Sequence, residues 1–357
     1  MRENNKIHIG FVGCGWITDI AHIPAFQKVD DVCIHSVFDF DQVKADTIKS
    51  KYGIKNAFYD YDAFLDSDLD AVVICSPNFT HADYAVKALN KKKHVMCEKP
   101  VAINMEEMER VVKAARCNDR LFIPAYVNRF REDVSTMLHA IEKYRLGTVK
   151  RVEGKWLRRF GVPRPGTWFT SKKLSGGGVL IDLGPHIIDI CLELLKSKNI
   201  KDYSLEVYKN YLNAENISAA WFETTDCREL DIDVEDGIKA QLLFEEDLTM
   251  DVELSWLAPV ENDFTSIHIE CESGSITLKT LFGFSKNKLW DKDTLILNMG
   301  DHREEICFDP ANNNAVKAFE AQAQYFADCV STGRTHKVNF DEAYYTTKVI
   351  DILYKAM

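Results

Sequence analysis

What this chain lacks narrows its function first. It has no surplus of positive charge: 44 Lys and Arg stand against 55 Asp and Glu, a formal net charge of -11. A protein that grips nucleic acid through its phosphates is therefore disfavoured, and no nucleic-acid partner is expected. It has no C-x-x-C pair, and its ten cysteines are scattered, Cys14, Cys33, Cys75, Cys97 and Cys117 among them, without clustering near histidines. That spacing argues against both a disulfide framework and a zinc site, so no metal is expected. Cys33, Cys75 and Cys97 lie inside apolar runs, as small hydrophobes of a reducing compartment. No apolar run approaches the roughly 20 residues of a membrane span, and Met1 to Lys6 leads into no signal-peptide apolar region. A cytoplasmic protein with no membrane partner is the expectation. Internal repeats and low-complexity segments are missing too.

What is present is the balance of a globular protein, 46% hydrophobic and 28% charged over 357 residues. That length favours two domains of roughly 100 to 200 residues. Ile7 to Val12 reads as a short buried strand, and Gly13-Cys14-Gly15-Trp16-Ile17-Thr18 follows it and opens a helical pattern. In such a strand, turn and helix the first glycine permits the bend and the second lets backbone approach a pyrophosphate. Thr18 stands where the fingerprint has a third glycine, which predicts a slightly wider spacing of helix and strand. The next strand, Val32 to Phe38, ends in Asp39, 26 residues after Gly13 and near the offset of the acidic residue that binds ribose hydroxyls. A carboxylate there repels a 2'-phosphate and favours NAD over NADP, with Lys44 nearby as the opposing charge. An ordinary turn or cap residue shared with Asp41 is the plainer reading of Asp39.

Strands Ala71 to Cys75, Val95 to Cys97 and Leu121 to Val127 alternate with helices from about Thr80 to Asn90 and Met105 to Cys117. Alternation of this kind implies a parallel sheet with helices on both faces and ligands at the carboxyl ends of its strands. Two turns lie there, Ser76-Pro77-Asn78 and Glu98-Lys99-Pro100. A strand-end lysine beside a cofactor and paired with Glu98 can hold an alcohol oxygen or tune a base; the plainer reading of Lys99 is a solvated surface charge. Ser76, Asn78, His81 and Glu98 join Gly13, Gly15, Trp16, Ile17, Asp39 and Lys99 as the expected cofactor-binding set.

After Val127 the pattern changes. A helix up to about Tyr144 and a strand Val149 to Arg159 are followed by alternating strands at Gly237 to Phe244, Leu248 to Trp256, Phe264 to Cys271 and Ser275 to Thr280, and then helices from about Ala315 to Val330 and Asp341 to Tyr354. These predict an α/β dinucleotide-binding domain over residues 1–127 and an α+β domain with a large open, mostly antiparallel sheet over 128–340. The last helix, about 341–357, is expected to pack back on the first domain. An open sheet face predicts a homo-oligomer, a dimer or tetramer. Residues 196–218 carry no legible pattern.

Between strands sits Gly176-Gly177-Gly178-Val179-Leu180-Ile181-Asp182-Leu183-Gly184-Pro185-His186. On a helix, Asp182 and His186 share one face, a carboxylate beside an imidazole as proton transfer requires. The competing reading is a capped, buried core helix. The glycines are expected to let backbone pass close to substrate or cofactor.

The glycine turn, Ser-Pro-Asn, Glu-Lys-Pro and the Asp182/His186 stretch, in this order over nearly the full length, resemble the glucose-fructose oxidoreductase, inositol dehydrogenase and MocA-like family. The resemblance implies a Rossmann domain joined to an open-sheet domain, with the active site between them over a nicotinamide. It makes Lys99, Asp182 and His186 the expected catalytic set, His186 taking the proton of a substrate hydroxyl. Ala21-His22-Ile23-Pro24 resembles the family's first-helix motif and implies a place for His22 on the nicotinamide side; helix packing is the alternative. Arg129, Arg159 and Trp168 are expected in a sugar pocket by position, alongside Asp182 and His186. Lys91-Lys92 departs from the small residues usual there. The activity implied is NAD-dependent oxidation of a sugar or glycoside hydroxyl, at C3 by resemblance to glycoside 3-dehydrogenases. Inositol or free-aldose oxidation and a sugar-to-sugar hydride shuttle are close alternatives. Outside that class stand a non-catalytic NAD-binding regulator and a metal-dependent hydrolase using Asp182, His186 and Asp189.

Overall fold

The structure, a computed structural model, describes residues 6–163, 165–195, 198–210, 231–335 and 338–357. Its contacts form two units, Met1–Tyr126 with Phe319–Thr347, and Val127–Ala318 with Lys348–Met357.

In the first unit β1 (Ile7–Val12) leads through a π-helical turn (Thr18–His22) into α1 (Ile23–Phe26). Then come β2 (Val32–Phe38), α2 (Gln42–Tyr52), β3 (Asn56–Phe58), α3 (Tyr61–Leu65), β4 (Ala71–Ile74), α4 (Asn78–Asn90), β5 (His94–Cys97), α5 (Met105–Asn118) and β6 (Phe122–Pro124). All six strands are parallel, in the order β3-β2-β1-β4-β5-β6. Strands such as β4, apolar and buried at every position, form because helices cover both faces. The order reverses between β1 and β4, and the crevice beyond their carboxyl ends is where such sheets bind ligands.

The second unit runs through α6 (Glu132–Lys143), β7 (Val149–Leu157), α7 (Lys172–Ser175) and α8 (Val179–Glu193) to β8 (Ile200–Tyr208). It continues with β9 (Gly237–Phe244), β10 (Thr249–Ser255), β11 (Phe264–Cys271), β12 (Gly274–Thr280), β13 (Thr294–Met299) and β14 (His302–Glu305). Their order is β14-β13-β12-β11-β7-β10-β9-β8, antiparallel except for the β7–β10 pair. Strand β7 shows why the sheet has two unlike faces. Val152, Gly154 and Trp156 point inward, whereas Arg151 pairs with Asp251 and Lys155 with Glu253 on the other face. The inward face is covered by α8, which packs on β7, β9 and β10. Every α8 residue from Val179 to Leu192 is buried, and this burial sustains a helix despite Gly184 and Pro185 in its interior. By length and composition Lys172–Glu193 could also cross a membrane, but most of it lies inside its unit as a core helix.

Two boundaries differ from expectation. Helix α9 (Ala315–Thr332) groups from Phe319 onward with the first unit, where Phe319 meets His22 edge-on and Phe326 meets Phe26. Helix α10 (Phe340–Lys355) divides at Thr347, its later residues grouping with the second unit through contacts such as Tyr354 with Glu235. Part of the illegible stretch 196–218 is strand β8, and residues 211–230 lie outside the described residues.

Candidate active site

In the first unit the glycine turn sits at the sheet's switch point. Gly13 has φ +89°, and a Cβ there would stand 2.8 Å from the Ser76 backbone, so only glycine lets the turns after β1 and β4 touch. Gly15 is exposed, with nothing within 4 Å of where its Cβ would be, and Trp16 and Ile17 are half-buried beside it. Thr18 does not prop the helix away from the strand. It is fully buried, and its hydroxyl donates to the Gly13 carbonyl at 2.6 Å, closing the turn that a third glycine would close by close packing. Asp39 accepts the Cys14 N–H at 2.8 Å on one oxygen and the Asp41 N–H at 2.9 Å on the other. The cap of α2 is Asp41, not Asp39. A buried carboxylate tied to the glycine turn, with lone pairs to spare, an open glycine beside it and Phe40 75% exposed next to it, fits the ribose and pyrophosphate of NAD.

The other two turns are linked by one buried side chain. His81 places Nε2 2.6 Å from the Ser76 carbonyl oxygen and Nδ1 2.7 Å from that of Pro100. Ser76 and Thr80 share a hydroxyl hydrogen bond at 2.6 Å, and buried Asn78 opens α4. Glu98 accepts the Lys99 backbone N–H at 3.0 Å and lies 2.7 Å from His22 Nε2. Burial opposes a charge on His22, but the Cys75 sulfur and the Glu98 carboxylate outweigh it and raise the imidazole well above its ordinary value. His22 thus stands behind the lysine turn. Lys99 itself is half-buried, and its bond to Pro100 is cis.

In the second unit Asp182 and His186 sit one turn apart on α8, 7% and 8% exposed. The Trp256 indole N–H donates to Asp182 Oδ2 at 2.9 Å, and Arg158 Nη1 lies 3.8 Å from the same oxygen. The Arg158 guanidinium stacks on the Trp156 ring, 4.9 Å from its centroid, and that ring lies 5.7 Å from the His186 imidazole. Trp168, half-buried, packs on Phe169, which packs in turn on Trp256.

Two expected pocket arginines behave otherwise. Arg129 is 2% exposed and committed to Asp189 through Nε (2.6 Å) and Nη2 (2.7 Å), and to Glu193 through Nη1 (2.9 Å). It is a core ion pair and leaves the substrate set. The same pairing occupies Asp189, the third ligand of the hydrolase reading, and among the described residues no group of three His, Cys, Asp or Glu is placed to hold a metal. Arg159 is exposed, its backbone N–H donating to Asp263 and its Nη1 to the Glu261 carbonyl. The arginine beside Asp182 is its neighbour Arg158. The period-two alternation of β7, continued past Leu157, puts even-numbered side chains under α8, and that signal was available in the sequence.

Two glycines of the stretch make room for residues that start the helix. A Cβ on Gly177 would stand 1.9 Å from the Tyr354 hydroxyl, and one on Gly178 1.9 Å from the Glu235 carbonyl oxygen. These two residues meet the helix's first donors. The Glu235 carboxylate accepts the N–H groups of Gly178 and Leu180, its backbone carbonyl accepts Val179 N–H, and the Tyr354 hydroxyl accepts Ile181 N–H at 3.2 Å while donating to Glu235 at 2.7 Å. An α-helix leaves such N–H groups without intrahelical partners, and here each has one.

A six-stranded parallel sheet with a glycine turn and an acidic strand end, joined in one chain to an open sheet whose buried helix carries a carboxylate and an imidazole, defines a nicotinamide-linked oxidoreductase. Comparison with known proteins agrees. Residues 7–126 match the oxidoreductase family with the NAD-binding Rossmann fold, and residues 134–277 match the GFO/IDH/MocA C-terminal domain. The chain belongs to the glucose-fructose oxidoreductase, inositol dehydrogenase and MocA-like family, and its first domain binds NAD. It is 30% identical to D-glucoside 3-dehydrogenase of Escherichia coli (strain K12) over 58% of this chain and 59% of that one. It is 32% identical to glucose-6-phosphate 3-dehydrogenase of Bacillus subtilis (strain 168) over 54% and 55%. The chain thus spans little more than half the length of these two relatives. Levoglucosan dehydrogenase, solved with NADH and levoglucosan, shares the fold with a TM-score of 0.81 at 19% identity, over 98% of this chain and 97% of that one.

Proposed function

We propose that this oxidoreductase oxidises a secondary hydroxyl, at C3, of a sugar or glycoside with NAD, or reduces the corresponding ketone. The observation that carries the reading is Asp182 and His186 on one face of a buried helix, with the Asp182 carboxylate held between an indole N–H and a guanidinium. His186 takes the hydroxyl proton and Asp182 orients the hydroxyl or the imidazole. Lys99 stabilises the charge that develops on the oxygen. Bound NAD supplies the acceptor for the hydride that leaves the same carbon, so a ketone, reduced nicotinamide and a proton result. Gly13, Gly15, Trp16, Ile17, Asp39, Ser76, Asn78, His81 and Glu98 hold or shape the cofactor site.

The choice of C3 is supported by the two 3-dehydrogenases among the relatives. Trp168 offers a half-buried indole on which a sugar ring can stack. The charges around Asp182 favour a neutral sugar: Arg158 is already faced by two carboxylates, Asp182 and Asp263, leaving little net attraction for a phosphate. A free aldose or inositol is the second reading, and the subunits assemble as a homo-oligomer.

A panel of glycosides, free sugars, inositols and sugar phosphates, read by NADH absorbance, tests this. Glycosides should be oxidised at C3, and Lys99→Ala and His186→Ala should each lower kcat by about 100-fold or more with NAD affinity intact. Wild-type turnover in either variant would remove that residue from the mechanism. Failure of the whole panel to reduce NAD would favour the non-catalytic regulator.

A further inference from the structure

Arg158 follows β7 with its side chain on the face that α8 covers, 8% exposed. Its surroundings are specific. Nη1 is 3.8 Å from Asp182 Oδ2, and Cζ stands over the Trp156 ring, 4.9 Å from its centroid. Trp156 in turn places its ring 5.7 Å from His186, so Arg158 meets Asp182 directly and is linked to His186 through that ring. Trp256 adds a second constraint, because an indole N–H only donates and so requires Asp182 Oδ2 to accept.

We infer that Arg158 is a positioning residue for the proposed reaction, whose charge holds the Asp182–His186 pair in its proton-accepting form at neutral pH. The inference rests on the reading of those two residues given above. The guanidinium is a fixed positive charge, and a cation within about 4 to 6 Å favours the carboxylate and disfavours the imidazolium. Several charged groups among the described residues of this unit stand near the pair. Arg158, with Asp263 behind it, comes from the β7 side, and Glu235 stands at the start of α8. Further along α8, Asp189 and Glu193 are neutralised by Arg129. As carboxylates Asp263 and Glu235 push the pair towards protonation, and Arg158 opposes them.

The test is the pH profile of kcat/KM. In Arg158→Gln the acid limb should move up by about 1 to 3 units, with much of the turnover recovered at high pH. Arg158→Lys, which keeps the charge, should leave the limb near its wild-type position, and NAD affinity should be unchanged in both. An unmoved limb in a folded Arg158→Gln protein overturns the inference. If that variant does not fold, Arg158→Lys decides: a limb displaced by a unit or more in a protein that retains the charge overturns it equally. Asp182→Asn, measured alongside, separates this inference from the reading beneath it. An inactive Asp182→Asn with an unmoved limb in Arg158→Gln sinks only Arg158, whereas a fully active Asp182→Asn sinks the catalytic assignment.

Discussion

Asp39 ties down the glycine turn through Cys14 N–H, and in the cofactor site proposed above its remaining lone pairs would receive the ribose hydroxyls. Charged hydrogen bonds of this kind contribute about 1.5 to 3 kcal/mol, so Asp39→Ala should weaken NAD binding by about 10- to 100-fold and narrow the preference over NADP. Titration of NADH fluorescence measures both; unchanged affinity would take Asp39 out of the cofactor site. This residue was legible because its information is local, a carboxylate at a fixed offset from a glycine turn. Arg129 was not, because its meaning lies in Asp189, 60 residues away. Arg158 and Arg159 are neighbours in sequence, and only the parity of β7 tells which of them faces Asp182.

Among the elements, α8 shows what pattern can and cannot reveal. The spacing of Asp182 and His186 already places them on one helix face, but the helix start depends on Glu235 and Tyr354, 57 and 173 residues from the donors they meet. No periodicity announces such a cap. Tyr354→Phe should orphan the buried Ile181 N–H and cost about 1 to 3 kcal/mol, with kcat falling more than NAD affinity. Gly178→Ala should be worse, since its Cβ would strike backbone that cannot swing aside. Urea unfolding of both proteins checks the order, and a Gly178→Ala protein as stable as wild type would contradict this packing. Among the strands, those that alternate cleanly were legible. The missed ones are β3, three residues at an edge of the parallel sheet, β13, and two at the edges of the open sheet: β8, mostly exposed, and β14, His302-Arg303-Glu304-Glu305, without an apolar residue to mark it.

Over the whole molecule, histidines set how stability follows pH. His94 Nδ1 accepts the Leu121 N–H at 3.2 Å and must be neutral to do so; burial and Arg120 push it down. His35 is pushed down by burial and by His8. For both, the unfolded chain binds the proton better, so stability is lost as pH falls below the unfolded value of about 6.5. His22 has the opposite sign. Its raised value contributes stability that is complete below about pH 6.5 and is lost as pH rises towards the folded value. The urea midpoint should therefore peak at about pH 6 to 7 and decline on both sides. A midpoint still climbing from pH 7 to 9 would show that the His22–Glu98 pair is not charged. Asp133, held low by Arg131 against the effect of burial, adds a further loss as pH falls below about 4.

The distant cap of α8 also bears on the order in which the protein becomes an enzyme. Local contacts form early and those between remote positions form late, since a long loop must close before they are rewarded. Helix α8 and the sheet beneath it can assemble from neighbouring segments, but the first turn of the helix stays open until Tyr354 docks. Helix α10 begins in the first unit and ends in the second, so one late segment completes both the cofactor unit and the helix bearing Asp182 and His186, and cofactor affinity and turnover should return together.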